Sequence, residues 1–120
     1  MSCSSDGSIC HWVNSSKNVY DNQSWSLKEK YLDSKDPSGI NHLCSLYIND
    51  KERYFSTFST NGNLNLWAFN KNSNKYEIYG SMNYKKKLQD AVSLICLDNE
   101  YLLLVSGGYD NLINIHIVKR

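Results

Sequence analysis

Ser59-Thr60-Asn61-Gly62-Asn63-Leu64-Asn65-Leu66-Trp67 is the stretch that decides the architecture. An Asn-Gly pair stands between two strand-like runs, Tyr54 to Phe58 before it and Asn63 to Ala68 after it. That is the strongest short-range hairpin signal, because both central residues of a type I′ turn need positive φ. The pattern recurs twice. Ser4-Ser5-Asp6-Gly7-Ser8-Ile9-Cys10-His11-Trp12 aligns on Asp6-Gly7, and Gly108-Tyr109-Asp110-Asn111-Leu112-Ile113-Asn114-Ile115-His116 aligns on Asp110-Asn111. The turn positions 6, 61 and 110 therefore lie 55 and 49 residues apart. Repetition at such a period marks stacked units, each too small to bury its own apolar face.

Strands extend outward from each turn. Leu64, Leu66 and Ala68 alternate with Asn63, Asn65 and Trp67, and Ile113, Ile115 and Ile117 alternate with Leu112, Asn114 and His116, which gives each run one apolar face. Leu43 to Ile48 and Val92 to Leu97 read as strands further upstream, each joined to the next by a polar turn. A fourth, weaker strand is expected at Lys75 to Ser81, with a counterpart between Val19 and Leu32. Ser26 to Leu32 alone is ambiguous between strand and helix. The chain is read as all-β.

Composition narrows the function classes. The 120 residues suffice for one domain with a real core. Thirteen Lys plus Arg against twelve Asp plus Glu leave a net charge of +1, too little to draw in nucleic acid or an anionic membrane by bulk field. The longest apolar run, Tyr101 to Val105, falls far below the roughly 18 to 20 residues that cross a bilayer. Ser, Asp and His interrupt the first dozen residues where a signal peptide needs an apolar core, so a cytoplasmic or nuclear address is expected. Cys3, Cys10, Cys44 and Cys96 are widely spaced and are expected to be buried free thiols.

Asp6-Gly7 followed by Trp12, repeated as Asn61-Gly62 followed by Trp67, resembles the WD40 family, in which each repeat supplies one four-stranded blade of a β-propeller. The spacings exceed the roughly 40 to 45 residues of a compact repeat of that family, and loop insertions account for the excess. The resemblance implies about two and a half antiparallel blades: residues 1-32 the end of one, 40-81 a complete one, and 90-120 three strands of the next. A propeller closes with typically four to eight blades, so the isolated chain is expected to be marginally stable, oligomeric, or part of a longer gene product.

In the WD40 family the turn Asp, a Ser or Thr on the preceding strand, a His between blades and the Trp form a hydrogen-bonded set. Asp6, Trp12, Asn61, Trp67, Asp110 and His116 occupy the matching structural positions here, although no Gly-His dipeptide occurs. Asn61 replaces an Asp, and His116 replaces the third Trp. Within the family the chain is similar to the Elongator complex protein 2 group, two-propeller scaffolds of a tRNA-modifying assembly. The run Leu102 to His116, with its double Gly, Asp-Asn turn and missing Trp, carries that likeness. It implies a non-catalytic platform whose partners are the other Elongator subunits.

Enzymatic signatures are missing. No Gly-x-Ser-x-Gly elbow, phosphate-binding Gly-rich loop or His-Glu-x-x-His motif occurs, and no catalytic, metal or cofactor site is expected. His11, His42 and His116 read as structural residues, and no small-molecule substrate or membrane partner is expected. Lys85-Lys86-Lys87, after Tyr84, is the one basic cluster. It reads either as a solvated loop or as a tRNA phosphate contact. A generic WD40 adaptor, a β-sandwich binding module and a propeller hydrolase using Asp6, Asp90 or Asp110 stay open as alternatives.

Overall fold

Short alternating runs separated by tight turns give ten strands among the residues described by the computed structural model, which are 1–18, 20–32, 38–84, 89–109 and 111–120. They are β1 (Ser2–Cys3), β2 (Ser8–Asn14), β3 (Trp25–Leu32), β4 (Ile40–Tyr47), β5 (Arg53–Ser59), β6 (Asn63–Asn70), β7 (Lys75–Asn83), β8 (Gln89–Cys96), β9 (Tyr101–Gly108) and β10 (Ile113–Lys119). Consecutive strands pair antiparallel into three open sheets: a first (β1-β2-β3), a middle (β4-β5-β6-β7) and a last (β8-β9-β10). The ambiguous Ser26 to Leu32 is strand, and Asn22–Ser24 before it forms one 3-10 turn. No helix of the described residues is long and apolar enough to cross a membrane.

The middle sheet is covered on both faces, which explains why Tyr54 to Ser59 is buried throughout. Register pairs Tyr54 with Ala68, Ser56 with Leu66 and Phe58 with Leu64, so these side chains share one face, while Phe55 and Trp67 share the other. Tyr54, Phe58, Leu64 and Leu66 pack on Val92, Leu94, Leu102 and Leu104 of the last sheet. Phe55, Trp67 and Ile40 pack on Ile9 of the first, with Tyr31 and Tyr76 closing the rim. Each such side chain stabilises the stack by about 1.5–3 kcal/mol relative to exposure. Two facing sheets, the sandwich alternative, would each be covered on one face only.

Specific contacts fix the stacking. The Tyr76 N–H donates to the Tyr31 hydroxyl at 3.2 Å, and Lys75 pairs with Glu29 at 3.2 Å, tying β7 to β3. The Ile40 N–H donates to the Ser4 carbonyl at 3.1 Å. Gly39 permits that approach, since a Cβ there would lie 2.9 Å from the Ser5 carbonyl oxygen. At the other seam Arg120 grips Glu52 through Nη2–Oε2 at 2.6 Å and Nε–Oε1 at 3.2 Å, and also donates to the Asp98 carbonyl at 2.7 Å. The Arg120 guanidinium holds the Glu52 carboxyl below the usual carboxylate range.

The last sheet turns a second apolar face outward. Its register lines up Ala91–Gly107–Ile113, Ser93–Val105–Ile115 and Ile95–Leu103–Ile117 across the three strands, on the side away from the middle sheet. Alternation alone predicts the isoleucines of β10 as the counterparts of Leu64, Leu66 and Ala68. They are those counterparts in position, yet among the described residues no sheet covers them.

Candidate functional site

The three nonapeptides sit at equivalent hairpins, each at the head of a different sheet. In each, an N–H three residues on closes the turn: Gly7 to the Ser4 carbonyl (3.1 Å), Gly62 to Ser59 (2.9 Å) and Asn111 to Gly108 (3.3 Å). Gly7, Gly62 and Asn111 have φ of 78°, 87° and 59°, whereas Asp6 and Asn61 are not in the positive-φ region. The first two turns are thus not type I′. They fit the three-residue class, in which an ordinary turn is followed by one left-handed residue, a place that glycine fills without strain and asparagine tolerates.

The side chain before the left-handed residue locks the turn. Asp6 Oδ1 accepts from the Ser8 N–H at 2.9 Å and the Ser8 hydroxyl at 2.6 Å. Asn61 Oδ1 accepts from the Asn63 N–H at 3.2 Å and the Ser59 hydroxyl at 2.6 Å. Asp110, the third such position, lies outside the described residues. The Ser8 hydrogen bonds pull the Asp6 carboxyl down to about 2, with the Ser4 hydroxyl and Lys30 contributing less. Because the folded value is depressed below the ordinary value of about 4, this carboxylate stabilises the fold above about pH 4 and loses that contribution as pH falls toward 2. Asp6→Asn keeps the acceptor, as Asn61 does. The gap between the thermal midpoints of wild type and Asp6→Asn, followed by circular dichroism, is therefore expected to be full above about pH 4 and closed near pH 2. A gap constant across that range would remove the charge from the account of this turn.

The tryptophans are anchored by a hydroxyl ten residues earlier, on the neighbouring strand. Trp67 donates through Nε1 to Thr57 Oγ1 at 3.1 Å, and Trp12 to Ser2 Oγ at 3.0 Å. Trp67 is 4% exposed and stacks on Phe55 with ring centres 5.2 Å apart and planes at 11°. Trp12, at the same place in the first sheet, is 41% exposed. His116 differs: its Nε2 meets the Tyr84 hydroxyl at the end of β7, while Ser106, the equivalent hydroxyl, is buried without a hydrogen-bond partner among the described residues. The turn residue and the aromatic residue thus act separately, one holding the loop and the other a strand pair. Numbering back ten residues from each Trp would have found Ser2 and Thr57 in the sequence; Tyr84 has no such signal.

Titratable groups are dispersed. Among the described residues no three His, Cys, Asp or Glu side chains stand close enough to hold a metal ion. His11 packs edge-on to Tyr76 at 5.5 Å, and burial pushes its pKa down. All four cysteines are free thiols, half-buried rather than fully buried. Of the three carboxylates considered for hydrolysis, Asp6 is an ionised turn lock, the Asp90 side chain and Asp110 lie outside the described residues, and so do Lys85, Lys86 and Lys87. An open groove beside the β6–β7 hairpin is lined by Lys51, Phe69, Lys71, Glu77 and Tyr79. Compared with known proteins, the chain matches no family model and no curated protein sequence.

Proposed function

We propose that the chain is a segment of a WD40-type β-propeller that serves as a non-catalytic platform for protein partners, within an Elongator-type assembly. The observation that carries this reading is the stack itself. Three antiparallel meanders pack face on face, and each bears the same turn-and-aromatic hairpin at the same place. β4 and β8 neighbour one another, as do β1 and β4, which suits sheets fanned about the strands at one edge. Two of the three indole positions are filled and anchored to a hydroxyl, which supports the Trp and Ser/Thr part of the family's hydrogen-bonded set, while the turn residue bonds within its own loop. An ionised turn carboxylate at Asp6 is the opposite of the raised, proton-holding acid that a hydrolase would use.

The test is binding of the purified chain to the other purified Elongator subunits, one at a time, by fluorescence anisotropy. Saturable binding at micromolar concentrations or below is expected for at least one. Failure with all would remove the Elongator placement. A parallel salt-dependent titration with tRNA, comparing wild type with Lys85, Lys86 and Lys87 all changed to Ala, decides the lysine run: a shallower salt slope in the variant supports a phosphate contact, and identical curves exclude it.

A further inference from the structure

The two seams of the stack differ at one repeated position. Leu66, two places after Leu64 and just before Trp67, is buried against the last sheet. His11 holds the same place in the first repeat, two after Ile9 and just before Trp12, on the face that packs against the middle sheet. Its half-buried imidazole lies edge-on to Tyr76 of β7, with ring centres 5.5 Å apart. One seam thus carries a titratable group where the other carries leucine. Described strands close its outer side, β3 from the first sheet and β7 from the middle one, joined by Lys75 to Glu29 and by the Tyr76 N–H to the Tyr31 hydroxyl.

The charges around the ring disfavour a proton on it. Lys28 of β3 and Arg53 of β5 lie 5.9 and 5.2 Å from the centre of the Phe69 ring, and both act on His11, as does the Met1 amino group. Glu29, the cross-strand neighbour of His11, opposes them, but its Oε2 is held by Lys75 at 3.2 Å. Asp50 is likewise engaged, with Arg53 at 3.1 Å. Burial pushes the Tyr76 hydroxyl up, so it stays neutral, and Tyr31 accepts from the Tyr76 N–H. Burial first, and then Lys28, the Met1 amino group and Arg53, hold the His11 pKa below its ordinary value. A proton taken up here adds a cation to a half-buried cationic cluster, and parting the sheets relieves the cost by returning the ring to water.

We infer that the seam between the first and middle sheets is a proton-operated joint: protonation of His11 loosens it and frees the first sheet, while the seam between the middle and last sheets stays shut. The inference rests on the seam geometry and not on the platform role. An exposed histidine titrates near 6.5. Below that pH the parted state binds more protons than the closed one, so the balance moves toward parting by at most about tenfold per pH unit, until the pH falls below the His11 value in the closed seam. The other seam lacks this response at Leu66. Its clamp of Arg120 on Glu52 keeps a carboxylate ionised below the usual range, and a protonated His116 still meets the Tyr84 hydroxyl, the ring then donating.

Hydrogen exchange of the chain, read sheet by sheet by mass spectrometry and corrected for the intrinsic pH dependence of amide exchange, tests the joint. Between about pH 6.5 and about pH 5, above the carboxylate range, protection of β2 and β3 is expected to fall by more than about threefold, with about thirtyfold the limit for one proton. Protection of β5, β6 and β9 is expected to change by less than about twofold. His11→Phe keeps a ring against Tyr76 and takes no proton, so it is expected to flatten the response of the first sheet. His11→Gln repeats the design if the Phe variant loses its strand circular dichroism. Flat protection of β2 and β3 in wild type, an equal fall in all three sheets, or the same fall in wild type and variant each overturns the inference. So does an imidazole resonance, identified by its absence from the His11→Phe spectrum, that titrates at or above about 6.5.

Discussion

Trp67→Ala is expected to lower the free energy of unfolding by about 3–5 kcal/mol, and Trp12→Ala by no more than about 1 kcal/mol, although the two residues hold the same place in the repeat. Trp67 fills the seam between first and middle sheets, stacked on Phe55 and edged by Tyr31. Removing it leaves a cavity that Phe55 and Tyr76, themselves packed edge to face at 5.0 Å, cannot close without giving up their own contacts. It also takes the indole donor away from a buried hydroxyl, Thr57. Trp12 makes the matching bond to Ser2 on a surface open to water, so its truncation forfeits less apolar burial and leaves no sealed void. Urea unfolding at about 2 µM, with the slope checked for equality among variants, reads the difference. Equal losses for the two variants would mean that the first and middle sheets share their environment, contrary to the seam described above.

The contrast between these two tryptophans also marks the limit of what the sequence discloses. The hairpins at Asp6-Gly7 and Asn61-Gly62 are legible because only a residue tolerant of positive φ fits after the turn, and the strands because alternation and turn residues bound them. Lys75 to Ser81, marked as the weak fourth strand, lies within β7, and the first sheet's third strand falls inside the interval left for it. The turn class was not legible: Asn-Gly permits two loop geometries, and the choice depends on whether Ser59 or Ser8 closes back on the turn oxygen. Nor was coverage. Alternation in β10 places Ile113, Ile115 and Ile117 on one face, and that face reads as core by hydrophobicity alone. In the structure the half-polar row Asn114, His116 and Val118 faces the middle sheet instead, because the third sheet presents its Trp-equivalent side inward and the position holding Trp67 in the second repeat holds His116 here. Which face of a repeated sheet is buried depends on which neighbour is present, and a strand's own period carries no information about that.

Leu66→Ala and Ile115→Ala turn this distinction into a measurement. Leu66 is buried in the seam between the middle and last sheets, within the cluster that includes Tyr54, Phe58, Leu94 and Leu104, and its truncation is expected to cost about 2–5 kcal/mol at any protein concentration. Ile115 occupies the equivalent place one repeat later, in a row with Val105 and Ser93 that faces solvent. At about 2 µM its truncation is expected to change stability by less than about 0.5 kcal/mol. A large loss for Ile115→Ala at 2 µM would require that row to be covered within a single chain. Only a rearrangement of the last sheet relative to the middle one would cover it, and that would bring His116 and Val118 to the surface in its place.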